Sequence, residues 1–240
     1  MENSTAAARI AGIMGGMGPE ATVDFMARVL AATDAATDQE HIHMLVDHNP
    51  RVPDRHASIS GSGPDAAPEV AAMAQRLERA GADFLVMVCN TAHAYTREIR
   101  AAVNIPFISI VDVVMDAVRS HPGDCVGVMA ADGCLQAGLY QQALLSAGRE
   151  PLLWDSGEQA RFMGLLYRIK AGERSPDVRS GLQALATSLE FNGADLLLAA
   201  CTEIPLLLGP ADTGVTLLSS TDLLVARTVA LARGDYAAAV

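Results

Sequence analysis

The chain has 240 residues, of which 50% are hydrophobic and 4% are aromatic. This composition supports a substantial core and argues against global disorder, and the length suits one large domain or two small ones. The formal net charge of −11, from 17 basic and 28 acidic residues, argues against a nucleic-acid-binding protein, which usually presents a basic face.

The apolar runs of the sequence predict neither a membrane span nor a secretory signal. FLVMV and LLLAA are far shorter than the ~20 residues that cross a bilayer. The start, MENSTAAARIAGIMGG, has no apolar signal core of about 7–15 residues and reads as a loose tail before a strand. We therefore expect a cytoplasmic protein with reduced cysteines. Its four cysteines form no C-x-x-C pair, so the sequence predicts no metal site.

Short β-rich runs alternate with helical patterns along the chain. In the first half, the predicted strands are RIAGIMGG, HIHMLVDHN, DFLVMVC and PFISIV, and the predicted helices are PEATVDFMARVLAAT, APEVAAMAQRLERAG and TAHAYTREIRAAV. In the second half, they are DCVGVMA, EPLLWD and DLLLAAC, with helices GLYQQALLSAG and DVRSGLQALATSLEFNG. Apolar strands that alternate with helices predict an α/β fold, in which helices cover both faces of parallel sheets.

One phrase occurs in both halves. LERAGADFLVMVCN and LEFNGADLLLAACT share their opening Leu-Glu and a Gly-Ala-Asp step, and each contains a cysteine at the end of the apolar run. The cysteine follows the glycine at the same spacing in both, from Gly81 to Cys89 and from Gly193 to Cys201. The two cysteines therefore occupy equivalent positions in a repeat.

The similarity extends beyond this phrase. GIMGGMG and GVMAADG align, and Phe25 matches Tyr140 at the same offset, 115 residues. A period of this length predicts two copies of one α/β unit. We expect an N-terminal lobe, residues 1–112 with 222–240, that carries the first cysteine, and a C-terminal lobe, residues 113–221, that carries the second.

Both cysteines of the repeat lie at the carboxyl ends of predicted strands, where sites gather in parallel α/β sheets. If the lobes face each other about a pseudo-twofold axis, Cys89 and Cys201 meet across a cleft. A helical pattern follows each, and a helix N-terminus would lower the thiol pKa. Two opposed acid/base groups suit inversion of a stereocentre. The alternative for each cysteine is that it is a small buried hydrophobe, which is what we expect of Cys125.

Six segments together resemble the aspartate racemases of the cofactor-independent aspartate/glutamate racemase superfamily: GIMGGMGPEAT, NPRVPDR, VCNTAH, DGCLQAGLYQ, YRIKAG and ACTEIPLLL. The resemblance implies two pseudo-symmetric lobes, an active site in the cleft between them, and a homodimer. It also implies a thiol/thiolate pair, Cys89 and Cys201, that needs neither PLP nor metal. By the same analogy, Cys201 takes the α-proton of the L-enantiomer and Cys89 that of the D-enantiomer.

The resemblance also implies how a small amino-acid substrate binds. Arg55 resembles the arginine that takes a substrate carboxylate, and Lys170 resembles the lysine that takes the side-chain carboxylate; both suit an anion. The other implied substrate-binding residues are Met17, Asp54, Asn90, Thr91, Cys134 and Thr202. Among them, the amide and the hydroxyls would hold the α-carboxylate.

The chain departs from the family pattern near the substrate. His56, Ala131 and Cys134 stand where the family often has threonine, which leaves open whether aspartate is the substrate. His93 and Glu203 follow the two cysteines closely. They either tune the thiols or make local hydrogen bonds at the start of a helix.

Three other functions remain open from the sequence. Hydantoin racemase and maleate isomerase belong to the same superfamily, and a non-catalytic protein that binds small acids could share the fold. The presence of both Cys89 and Cys201 argues against the binding protein and against a decarboxylase that uses one cysteine.

Overall fold

The computed structural model describes residues 8–235. The loose tail expected from the sequence falls mainly in residues 1–7, outside the described part. The described chain folds into two four-stranded sheets, in which all paired strands run parallel. No helix within residues 8–235 combines the length and the apolar character needed to span a membrane.

The first sheet has the strand order β2-β1-β3-β4. Its strands are β1 (Ala11–Gly15), β2 (Met44–His48), β3 (Phe84–Met87) and β4 (Phe107–Ile108). The helices of this half are α1 (Pro19–Ala32), α2 (Arg55–Ile59), α3 (Ala67–Arg79) and α4 (Thr96–Ala102). Every residue of β1 and β3 is buried, as expected for strands covered on both faces.

The second sheet has the equivalent order, β6-β5-β7-β8. Its strands are β5 (Cys125–Ala130), β6 (Glu150–Leu152), β7 (Leu196–Ala200) and β8 (Thr216–Ser219). The remaining helices are α5 (Ile110–Ser120), α6 (Asp132–Gln136), α7 (Leu139–Ser146), α8 (Ser156–Lys170), α9 (Pro176–Phe191) and α10 (Ser220–Arg233). The predicted fold class, an α/β fold with two similar parallel sheets flanked by helices, is confirmed.

The Gly-Ala-Asp step of the repeated phrase has a structural reason in both halves. Gly81 and Gly193 follow the ends of α3 and α9 with φ of +99° and +104°, which disfavours any residue with a side chain. Two residues later, an aspartate accepts a hydrogen bond from the backbone at the start of the neighbouring central strand. Asp83 accepts from Ile10 N at 2.6 Å, and Asp195 accepts from Cys125 N at 3.1 Å. The phrase thus aligns the cysteine-bearing strand with the strand beside it.

Six elements were not predicted from the sequence: α2, α5, α6, α8, β8 and α10. Two of these, α5 and α10, connect the halves. In α10, Leu224 and Val225 pack in the core of the first sheet with Ile13, although α10 follows β8 of the second sheet in the chain. This packing supports the proposed assignment of residues 222–240 to the N-terminal lobe; the lobe boundaries stay a prediction.

Candidate active site

A small cavity lies where the two cysteine-bearing strands end. Cys89 follows β3, Cys201 follows β7, and both line a cavity of about 20 Å³, which is room for about one water. Six predicted substrate-binding residues line it too: Met17, Arg55, Asn90, Thr91, Lys170 and Thr202. The structure therefore brings together the two cysteines that the repeat singled out.

Two predicted site residues lie elsewhere. Cys134 is fully buried in the core of the second sheet, where burial raises the pKa of its thiol, and Ala131 lines the cavity instead. Asp54 caps α2: its Oδ1 accepts from Ala57 N at 2.8 Å. Neither residue lines the thiol cavity, because Cys134 packs among apolar side chains and the Asp54 carboxylate caps a helix; that they contact substrate stays a prediction.

Glu203 is the polar group closest to the second thiol. The Cys201 thiol donates to Glu203 Oε2 at 3.1 Å, and the Thr202 hydroxyl donates to the same oxygen at 3.2 Å. Glu203 Oε1 forms an ion pair with Lys170. Burial and the Glu203 carboxylate raise the pKa of Cys201 well above its usual value, and Lys170 opposes this only in part.

The predicted lowering of the thiol pKa by a helix N-terminus is therefore wrong for Cys201. The segment after it forms only the 3-10 turn Ile204–Leu206, too short to present an α-helical N-terminus. After Cys89, a 3-10 segment, Thr91–Tyr95, precedes α4. Charge close to Cys201 comes from the side chains of Glu203 and Lys170.

His93 binds the backbone of the first cysteine. Its Nε2 accepts from Ile110 N at 2.9 Å, so Nδ1 carries the proton and donates to the Cys89 carbonyl at 2.8 Å. Complete burial lowers the pKa of His93 to about 4. This neutral imidazole ties Cys89 to the start of α5 and carries no charge toward the thiol near neutral pH.

The two predicted anion-binding cations differ. The Arg55 guanidinium donates to the carbonyls of Met17, Val52 and Pro53, and no carboxylate pairs with it within residues 8–235. Lys170, the only lysine of the chain, is already paired with Glu203. A substrate carboxylate would thus find a free positive charge at Arg55 and a shared one at Lys170.

A second cavity, of about 160 Å³, adjoins the first and shares Arg55, Lys170 and Glu203 with it. The glycine loop after β1 forms another wall. A Cβ on Gly18 would lie 2.6 Å from Glu203 Oε1, so a side chain there would press on the Lys170–Glu203 pair. The two cavities together offer room for more of a small molecule than the space between the thiols does.

Sequence reasoning missed one residue of the cavity and the partner of another. Leu166 lines the cavity from α8, a helix that was not predicted. The ion pair between Glu203 and Lys170 joins residues far apart in sequence. The only feature of the sequence that could have pointed to this pair is that Lys170 is the single lysine of the chain. Among residues 8–235, no group of three His, Cys, Asp or Glu side chains is arranged to hold a metal ion.

Comparisons with known proteins agree with this architecture. The family model described as Asp/Glu/Hydantoin racemase matches residues 14–228. The broad specificity amino-acid racemase RacX of Bacillus subtilis is 27% identical over 230 residues, 91% of this chain and 96% of that protein. A glutamate racemase of Deinococcus radiodurans is 29% identical over 75% of this chain and 61% of that protein. The structure of the aspartate racemase of Picrophilus torridus superposes with a TM-score of 0.85 at 25% identity, covering 93% of this chain and 94% of that one. The chain therefore belongs to the Asp/Glu/hydantoin racemase family of PLP-independent isomerases.

Proposed function

We propose that this protein inverts the α-carbon of aspartate or a related acidic amino acid, with Cys89 and Cys201 as opposed acid and base. One observation carries the proposal: cysteines at equivalent positions of the two repeats line one cavity, together with Arg55 and Lys170. An acid/base pair from two similar halves suits a reaction in which the forward and reverse directions exchange the roles of the two groups.

In the proposed reaction, the thiolate of one cysteine removes the α-proton, and the electron pair of the C–H bond delocalises into the α-carboxylate, held by Arg55. The thiol of the other cysteine then gives its proton to the opposite face of the carbon. One thiolate becomes a thiol and the other thiol becomes a thiolate, so protons balance without a co-reactant. Because Cys201 donates to Glu203 in this structure, we assign it as the acid and Cys89 as the base of the resting enzyme.

The size of the thiol cavity implies that the cleft opens during turnover. A space of about 20 Å³ cannot hold an amino acid. Substrate entry would separate the walls of this cavity or merge it with the adjoining cavity of about 160 Å³. Closure around the substrate would then exclude water from the carbanion.

A second candidate is an amino-acid racemase with wider specificity. It is favoured by the Lys170–Glu203 ion pair, which reduces the positive charge available for a second substrate carboxylate. The similarity to a relative named a broad specificity amino-acid racemase also supports it. Under this alternative, Arg55 binds the α-carboxylate, and the adjoining cavity accepts side chains of different length and charge.

One experiment tests both candidates. The protein is incubated with single enantiomers of aspartate, glutamate, alanine and lysine in deuterated water, and chirality and deuterium at the α-carbon are measured. Inversion confined to aspartate and glutamate would support the first candidate, and inversion of all four amino acids would support the second.

Cys89→Ala and Cys201→Ala should each abolish inversion, whereas Cys125→Ala, outside the cavity, should not. Inversion at a wild-type rate in either active-site variant would rule out the two-thiol reaction.

The homodimer and the cytoplasmic location expected from the sequence stay predictions.

A further inference from the structure

The side-chain amide of Asn90, the residue after Cys89, is held on both sides. Tyr140 Oη donates to Asn90 Oδ1 at 2.5 Å, and Asn90 Nδ2 donates to Ser220 Oγ at 3.0 Å. Ser220 Oγ in turn donates to the Ala199 carbonyl at 2.8 Å. All four residues are buried, so these bonds are shielded from competition with water.

The groups that hold this amide come from the other half of the molecule. Tyr140 lies on α7 and packs, fully buried, in the core of the second sheet with Val126 and Leu196. Ala199 belongs to β7 of that sheet. The loop that carries Cys89 is thus fastened at its next residue to the lobe that carries Cys201.

The repeat shows that this connection is one-sided. Phe25 is the counterpart of Tyr140, and Thr202 is the counterpart of Asn90, since it follows Cys201 as Asn90 follows Cys89. Phe25 has no hydroxyl and cannot donate to Thr202, whose own hydroxyl donates to Glu203. The Tyr140 hydroxyl is therefore a group that the second half supplies to the first without a reciprocal contact.

The Tyr140 hydroxyl is suited to fixing the amide orientation. Burial raises its pKa well above the usual value, so it remains a phenol donor near neutral pH. The Ser220 hydroxyl gives its proton to the Ala199 carbonyl and accepts from Asn90 Nδ2, so turning the amide over would cost one of these two bonds. One N–H of Asn90 remains free of these two partners and can face the cavity that Asn90 lines.

We propose that Tyr140 is a positioning residue for the reaction, which acts through Asn90 to hold Cys89 in place relative to the α-carbon. This inference rests on the proposed two-thiol function. Since the second half carries this hydroxyl and the first half carries phenylalanine, the two thiols of a near-symmetric enzyme are held by different means.

Tyr140→Phe tests the proposal, because it gives the second half the residue that the first half has. On the amino acid that the wild type inverts fastest, we expect kcat to fall about tenfold, with KM changed less than about threefold, as for a misplaced catalytic group. The second readout needs no substrate: iodoacetamide labelling of Cys89 and Cys201, resolved by peptide mass spectrometry. Both thiols line one cavity, so changes in access largely cancel from the ratio of their labelling rates. We expect that ratio to change at least about threefold, because the hydrogen bond that is lost holds Asn90, the residue next to Cys89.

Two further variants complete the test. Ser220→Ala removes the other hydrogen-bond partner of the Asn90 amide and should change the ratio of the two labelling rates in the same way. If Tyr140→Phe does not fold, Ser220→Ala serves as the test in its place. Thr228→Val is the matched control, because it removes a buried hydroxyl that donates to Leu224 O at 2.7 Å, away from the cavity. A wild-type ratio in Tyr140→Phe, or an equal change in Thr228→Val, would overturn the proposal. If the wild type inverts no amino acid, the proposed function fails, while the labelling ratio still decides what Tyr140 does.

Discussion

Glu203 makes the two thiols chemically different. Its carboxylate accepts from the Cys201 thiol and from Thr202, and it neutralises Lys170. The residue at the equivalent position after Cys89 is Thr91, which carries no charge. A repeat that places two cysteines alike therefore surrounds them with different charges, which is why Cys201 is the proposed acid of the resting enzyme.

Glu203→Gln should shift the ionisation of Cys201 to lower pH. The carboxylate raises the pKa of this thiol, so removing the negative charge favours the thiolate, and Lys170, no longer paired, favours it further. Alkylation requires the thiolate, so the pH midpoint of Cys201 labelling by iodoacetamide should fall in Glu203→Gln. Glu190→Gln, which removes one negative charge from a half-buried site of the same half outside the cavity, should leave the midpoint unchanged. An unchanged or higher midpoint in Glu203→Gln would show that Glu203 does not control this thiol.

The sequence predicted the two cysteines and most of their neighbours because the spacing of the repeat places them at equivalent strand ends. It could not predict which partner each side chain takes. The Lys170–Glu203 pair and the Tyr140–Asn90 bond join residues from different elements. Cys134 is an apolar residue in the middle of a glycine loop pattern, and nothing in the pattern distinguishes a core-facing from a cavity-facing side chain there.

At the scale of elements, the repeated Gly-Ala-Asp step sets where each cysteine-bearing strand begins. Predictions succeeded for strands whose residues are all apolar, such as β3 and β7. They failed for α10, which returns to the first sheet after the second is complete. Its polar and apolar residues show little segregation, and its place is set by contacts with α1 and α5 that are distant in sequence.

Gly81→Ala and Gly193→Ala should each destabilise the protein by about 1–2 kcal/mol. Both glycines have positive φ, where an alanine Cβ is strained, although no neighbouring atom lies within reach of that Cβ. The measurement is the free energy of unfolding in urea. Gly164→Ala makes the same chemical change inside α8, again with no neighbour in reach, and should instead stabilise by about 0.5–1 kcal/mol. Equal effects at all three sites would mean that backbone conformation does not explain why the repeat keeps its glycines.

At the scale of the whole molecule, several contacts join the two halves across the cleft. Gly133 N, in α6, donates to His56 Nδ1, in α2, at 2.9 Å. Burial lowers the pKa of His56, which keeps the ring neutral and able to accept. An ion pair between Arg174 and Glu20 spans the halves at another point. Since the thiol cavity is too small for an amino acid, substrate entry under the proposed function would either break such contacts or use the adjoining cavity.

Gly133→Ala should hold this cleft partly open. A Cβ at this position would lie 2.7 Å from His56 Nδ1 and 3.0 Å from Thr91 Cγ2, so α2 and α6 could not approach as closely as they do. We expect the labelling of both Cys89 and Cys201 to accelerate relative to Cys125, which lies outside the cavity and serves as the internal reference. KM for the best substrate should rise about tenfold, because closure no longer completes the site. His56→Ala removes the ring that the new methyl group of Gly133→Ala would meet. The effects of mutations at residues in contact are not additive, so both thiols of the double variant should be labelled more slowly than the sum of the two single effects predicts. Strict additivity, or labelling that stays at the wild-type rate in Gly133→Ala, would mean that the approach of α2 to α6 does not control access to the thiols.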